Sequence, residues 1–334
     1  MSSYWISQAI YVAAKLGIAD LLKAGAQNCK ALAESTNTNP RALYRLMRAL
    51  ASVGIFAELE GGFFTLTPLA ACLQSDVPDS LRSLAIISGE EEYQAWGDLL
   101  YSIQTGNSAF EHLYQRHLDE YHQQNPESGK INDHAMTNLS ASETPAIAAS
   151  YDFSSIHRLV DVAGGQGDFI TSILKANPTM QGILFDQASV IEGATIPKEA
   201  EGVADRCQLV AGDFFESVPS GGDAYMLKRI LHNWDDRRAI AILKNCHRAM
   251  KANSKLLVIE PVIPPGNEPS FSKLLDLNVL VMLFPGACER TKAEFQVLFE
   301  AAGFELTQII PATSSEVSII EGIREVSIIE GIRR

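Results

Sequence analysis

The stretch LVDVAGGQGDFITSIL, residues 159–174, sets Gly164, Gly165 and Gly167 where an apolar strand passes into an amphipathic helix. Glycines at such a junction let the backbone approach a ligand closely. One strand later, GILFDQ ends in Asp186 and Gln187, and a carboxylate there can accept both hydroxyls of a ribose. These residues describe a nucleoside pocket. A dinucleotide fingerprint counted from Gly165 and Gly167 needs its third glycine at position 170, which holds Ile170, and no Lys-Ser/Thr pair follows for a phosphate loop. What remains is Asp161, two residues, Gly-Gly-x-Gly, and an acid closing the second strand. That arrangement suits S-adenosylmethionine, which has ribose hydroxyls and an amino acid end but no pyrophosphate. In AGDFFESVP, Asp213 and Phe214 offer an adenine a hydrogen bond and an apolar contact.

A second stretch, LKRILHNWDDRRAI at 227–240, gathers a histidine, an amide, a tryptophan and two acids where an apolar strand gives way to charge. Imidazole is the side chain that ordinarily titrates near neutrality, which makes His232 a candidate general base. Its plain alternative is the polar end of a strand. Trp234 reads as packing rather than chemistry.

The elements that must position these groups are short apolar strands alternating with amphipathic helices. RLVDV, GILFD, CQLVAGD, DAYML and KLLVIEPVI read as strands; DFITSILKANP, RRAIAILKNCHRAM and TKAEFQVLFEAAGF read as helices. Such alternation predicts an α/β fold, a doubly wound parallel sheet covered by helices on both faces. Ligands of such sheets sit at the carboxyl ends of the strands, where the glycine turn, Asp186 and His232 all fall. The closing segment EVSIIEGIR, residues 316–324, reads as a final strand and is repeated at once over 325–333. A tandem copy of nine residues is too short for a solenoid unit, so the second copy reads as an appendage without function.

The preceding part is helical. SQAIYVAAKLGIADLLKAG has apolar residues at helical spacing and is expected to run to Gly25; a further helix starts near Pro40 with Leu43, Leu46, Met47 and Leu50 on one face. A hairpin turning at Gly61 and Gly62 completes a helix, turn, helix and wing order. Arg41, Arg45 and Arg48 would let that second helix enter a DNA groove, but the net charge of −13 opposes a phosphate backbone, and a dimerisation module fits better. The region from about 76 to 155 reads as helices with long polar connections. Hydrophobic residues at 46% and charged ones at 20% place the chain among folded globular proteins. No apolar run reaches the roughly 18 to 20 residues of a spanning helix and no basic leader opens the chain, so a cytoplasmic protein is expected. The five cysteines stand singly, without metal-ligand spacing, and read as reduced packing thiols.

In their order, LVDVAGGQGDF, GILFDQ, AGDFFESVP, LKRILHNWDD, KLLVIEPVIP and PGACERTKAEF resemble the small-molecule O-methyltransferases of the caffeic acid and hydroxyneurosporene type. The resemblance covers nearly the whole chain, since the N-terminal segment also looks like the winged-helix dimerisation domain of that family. It implies a dimerisation domain over 1–95, a helical segment over 96–155 lending residues to the acceptor pocket, a Rossmann-like methyltransferase domain over 156–324 and the duplicated tail over 325–334. It further implies S-adenosylmethionine without a metal, a homodimer, no nucleic acid or membrane partner, and methylation of a hydroxyl on a small aromatic or enolic metabolite. His232 becomes the base, Glu260 and Glu289 the acids that hold its ring, and Lys228 a group near the cofactor. Trp96, Tyr121, Met136, Asn233, Met282 and Phe284 are the implied acceptor residues, with core packing as the rival role of the large apolar ones. Two positions depart from the family pattern. Ala163 stands where the first glycine of the run is usual, which suits alanine if its φ is negative, and Asn233 replaces the usual acid after the histidine. Rival readings are nitrogen methylation, a cofactor-binding decarboxylase, hydroxylase or cyclase that transfers no methyl, and a DNA-binding regulator.

Overall fold

The computed structural model describes residues 2–194, 202–313 and 315–324, so the second copy of the tail repeat lies outside the described residues. The chain divides into two compact units. One comprises residues up to Leu100 with Ala109–Ser142; the other comprises Tyr101–Ser108 with everything from Glu143 onward.

In the first unit the opening apolar run is two helices, Ser3–Lys15 and Ile18–Leu21, rather than one reaching Gly25. The break is at Gly17, whose φ of 66° is left-handed and turns the chain. Helix Cys29–Ser35 starts on Asn28, whose side chain accepts from the Ala31 N–H at 2.9 Å. Helix Pro40–Ser52 starts on Asn39, accepting from the Ala42 N–H at 3.0 Å, with proline at its first position. Each such cap stabilises its helix by about 1 kcal/mol. Leu43, Met47 and Leu50 bury one face of the second helix, packing with Leu32, Phe56 and Phe64. Three short strands, β1 (Gln27–Asn28), β2 (Phe56–Leu59) and β3 (Phe63–Leu66), pair in the order β1-β3-β2, and the β2–β3 hairpin turns at Gly61 and Gly62 as expected.

The second unit is built on β4 (Arg158–Val162), β5 (Gln181–Asp186), β6 (Cys207–Ala211), β7 (Ala224–Lys228), β8 (Lys255–Ile263), β9 (Arg290–Thr291), β10 (Phe304–Pro311) and β11 (Val317–Arg324). Its strand order is β10-β11-β8-β7-β4-β5-β6, with β9 pairing off β8. Strands β4 to β8 pair in parallel, whereas β11 lies antiparallel to both β8 and β10. The all-parallel expectation therefore fails at that edge. A short connection from β10 to β11 permits only a hairpin. Successive residues of the central strands face opposite layers: Leu159, Met226 and Leu257 join one core, and Val160, Leu227 and Val258 join the other. From β4 the chain winds outward through β5 and β6, then returns to place β7 on the other side of β4. That reversal opens the crevice at the carboxyl ends of β4 and β7, where a ligand of this architecture binds.

Candidate active site

The glycine turn begins where β4 ends. Ala163 has φ of +59°, so the expected negative angle does not hold. A left-handed alanine costs roughly 1 to 2 kcal/mol, and its N–H bond to the Phe185 carbonyl at 2.7 Å helps hold it there. A side chain at Gly164 would strike the Asp161 carboxylate and Leu184, both at 2.5 Å. At Gly165 the situation is reversed: a Cβ would meet nothing within 4 Å, while the backbone N–H donates to Asp186 Oδ2 at 2.9 Å. Asp186 Oδ1 also accepts from the Gln187 N–H at 2.7 Å, which fixes the carboxylate at the end of β5. Gln187 and Asp213 are exposed, and Asp213 accepts from the Phe215 N–H at 2.8 Å.

Asp161 lies beneath this turn, 1% exposed, and its Oδ2 has no hydrogen-bond partner among the described residues. Burial pushes its carboxyl up to about 7; Lys228 opposes that rise and Asp186 adds to it. An unpaired buried acceptor, a ribose-type carboxylate and open space over Gly165 together fit a nucleoside with a cationic amino acid end. Lys228, at the end of β7, sits 3.4 Å from Glu143 Oε2 and 5.2 Å from the Phe169 ring. Burial lowers its pKa, with Glu143 pulling the other way. Glu143 also pairs with Arg229, so this buried acid, which gives no signal in the sequence, holds two cations.

His232 stands in the one-turn 3-10 helix Leu231–Asn233 that follows β7. Its Nδ1 is 2.8 Å from Glu289 Oε1, with the imidazole 12% exposed and the carboxylate fully buried. Glu260 does not share that role. Its Oε1 accepts from the backbone N–H groups of Leu231 at 2.6 Å and His232 at 3.1 Å, so it holds the turn and not the ring. The two acids expected to act alike are thus divided, one on the side chain and one on the main chain. Burial raises the Glu260 pKa, opposed by His232. Behind Glu289, its own N–H donates to Asp276 Oδ1 at 2.9 Å, and the Cys288 N–H donates to the His232 carbonyl at 3.0 Å. Asp276 and the buried Arg290 belong to this site, and neither is legible in the sequence. An acid in an apolar helix and an arginine before a helix give no sign of burial until the fold is known.

The implied acceptor residues are divided between the units. Asn233, Met282 and Phe284 lie in the unit of His232. Asn233 turns its amide back to donate to the Arg229 carbonyl at 3.3 Å, Met282 is buried, and Phe284 stacks on Trp234 with centroids 5.6 Å apart and planes at 10°. Trp234 also meets Phe214 edge-on at 6.2 Å, linking the expected adenine contact to the same aromatic group. Trp96, Tyr121 and Met136 lie in the first unit. There Tyr121 packs against Phe110 and Tyr114, and Met136 is exposed. Among the described residues no group of three or more His, Cys, Asp or Glu could hold a metal, and no helix is long and apolar enough to cross a membrane.

Residues 96–305 match the O-methyltransferase domain model, and residues 1–76 match the O-methyltransferase dimerisation domain. The phenazine O-methyltransferase PhzM of Lysobacter antibioticus is 45% identical, covering 96% of this chain and 93% of that protein. The solved structure of CalO1, a methyltransferase in calicheamicin biosynthesis in its S-adenosylhomocysteine-bound form, superposes with a TM-score of 0.87 at 34% identity, covering 97% of this chain and 96% of that one. A relative that methylates nitrogen, the 8-amino-8-demethylriboflavin N,N-dimethyltransferase of Streptomyces davaonensis, is 32% identical over 91% of this chain and 88% of its own length. A glycine turn at the switch point, a histidine beside it and likeness along nearly the full length agree, and the chain belongs to the S-adenosylmethionine-dependent O-methyltransferases of the caffeic acid type.

Proposed function

We propose that this enzyme methylates a hydroxyl of a small aromatic or enolic secondary metabolite, with His232 as the general base. The observation that carries the reading is the 2.8 Å contact between His232 Nδ1 and Glu289. An ionised Glu289 fixes the proton on Nδ1, which leaves the lone pair of Nε2 to accept a proton from the acceptor. Among the described residues no hydrogen bond occupies that nitrogen.

Asp186 and Gly165 would hold the ribose, Asp161 and Lys228 the amino acid end, and Gln187, Asp213 and Phe214 the adenine. Bound there, S-adenosylmethionine supplies an electrophilic methyl group. His232 takes the hydroxyl proton onto Nε2, and the buried Glu289 carboxylate balances the positive charge that appears on the ring. Glu260 keeps the turn from shifting while that happens. Asn233, Met282 and Phe284, in the unit of His232, remain the proposed acceptor residues there, and apolar and sulfur contacts favour a flat ring. The PhzM relative makes a fused aromatic phenol a good first candidate. The dimerisation match supports a homodimer.

The nitrogen-methylating relative supports a second reading, methylation of an amine. An amine with a free lone pair needs no base, so His232 separates the two. Methyl-labelled S-adenosylmethionine offered with phenols, enols and amines should label oxygen, and His232→Ala should lower that turnover by on the order of 10²- to 10⁴-fold with cofactor affinity unchanged. Label on nitrogen that survives His232→Ala would replace the first reading by the second.

A further inference from the structure

Arg290 is 1% exposed and is the largest fully buried side chain among the described residues. A buried guanidinium requires partners for all of its donors, and arginine has five in a fixed fork. Every one is engaged here. Nη1 donates to the Leu231 carbonyl at 3.0 Å and to the Cys288 carbonyl at 3.5 Å, while Nη2 donates to the Trp234 carbonyl at 2.8 Å and to Asp236 Oδ1 at 2.9 Å. Nε donates to the same Asp236 oxygen at 3.1 Å. Where these acceptors lie in the chain is what matters. Leu231 precedes His232, Trp234 lies two residues after it, Cys288 precedes Glu289, and Asp236 opens the helix Asp236–Ala249. One planar group therefore spans the two segments that bring the imidazole and its carboxylate together.

We infer that Arg290 is a positioning residue for the His232–Glu289 pair, setting the tautomer of the imidazole by fixing the distance between the two backbone segments. Its donors go to Asp236 and three backbone carbonyls and none goes to the ring, so it acts through geometry. Lysine keeps the charge but has three donors on a flexible stem and cannot reproduce the fork. The inference rests on His232 as the base, so its test needs a readout that requires no acceptor.

Nitrogen-15 NMR of the labelled imidazole, taken where the ring is neutral, reports which nitrogen holds the proton. The expected result is a single Nδ1–H tautomer in the unaltered protein and a mixture in Arg290→Lys. The same variant should bind S-adenosylmethionine with unchanged affinity and lose kcat by on the order of 10²-fold, the loss that a displacement of about 1 Å produces. A folded Arg290→Lys that keeps the single tautomer overturns the inference, whatever its activity. If that variant does not fold, Asp236→Ala decides, because this carboxylate is 72% exposed and its Oδ1 accepts two of the five bonds, which alanine removes. A partial tautomer mixture with a loss of kcat is then expected, and an unchanged tautomer overturns the inference. Full activity in His232→Ala would remove the base assignment, and the tautomer measurement would still decide for or against Arg290 by itself.

Discussion

The turn after β4 and the turn after β7 leave neighbouring strands at the carboxyl edge of the sheet, and they are held in opposite ways. The first is shaped by backbone: Ala163, Gly165 and Gly167 all take positive φ, and the space over Gly165 is open. The second is shaped by buried side chains, with Glu260 on its N–H groups, Arg290 on its carbonyls and Glu289 on the ring. The difference follows from what each must do. A turn that receives a ligand has to leave room, and beneath this one the buried Asp161 Oδ2 has no partner among the described residues. A turn that moves a proton has to fix one nitrogen, so its backbone N–H and carbonyl groups are held from behind by Glu260 and Arg290.

The contrast between the turns is most easily broken at Glu260. Replacing it with alanine leaves the buried Leu231 and His232 N–H groups without an acceptor, at a cost of roughly 1 to 3 kcal/mol for each group. Glu260→Ala should lower stability by at least about 2 kcal/mol and reduce kcat, with little change in cofactor affinity. Glu260→Gln retains a carbonyl oxygen to accept both bonds and should restore most of the stability. Chemical unfolding of both variants checks this, and equal stability of the alanine and glutamine proteins would show that the bonds at the turn contribute nothing.

A second test addresses the buried acid under the glycine turn. The folded pKa of Asp161, about 7, lies above its ordinary 3.8, so the folded state binds more protons than the unfolded one between those values. Its contribution to stability is complete below the ordinary value and is lost as pH rises through the folded one. The unliganded protein should therefore lose stability across that window, and Asp161→Asn, which carries no titrating proton, should flatten the slope. Parallel stability curves for the two proteins from about pH 4 to about pH 8 would remove this account of Asp161.

Much of the sheet was readable because its strands are short apolar runs bounded by glycine or acid, and the binding turn because glycines there have few other uses. The division of labour between Glu260 and Glu289 was not readable. Both are acids at strand or helix ends, and only the fold decides which meets the ring. Arg290 and Asp276 were hidden for a related reason: a charged residue in sequence reads as solvated until its burial is known. The break at Gly17 was masked by apolar spacing that continues through it.

Ala163 offers the smallest effect and the sharpest test of how far backbone alone sets the first turn. Glycine would adopt φ of +59° without steric cost, gaining roughly 1 to 2 kcal/mol in the folded state, while the more flexible unfolded chain takes back part of that. Since alanine is strained at a positive angle, the folded-state gain should exceed the unfolded-state loss. Ala163→Gly should thus raise stability slightly, by less than about 1 kcal/mol, leaving the bond to Phe185 intact because glycine keeps the N–H. The affinity for S-adenosylmethionine should stay the same, since the open space lies over Gly165, which the substitution leaves unchanged. A thermal melt with and without cofactor reads both quantities. If the variant is less stable, the left-handed alanine is not strained in this turn, and the side chain itself must be helping to hold it.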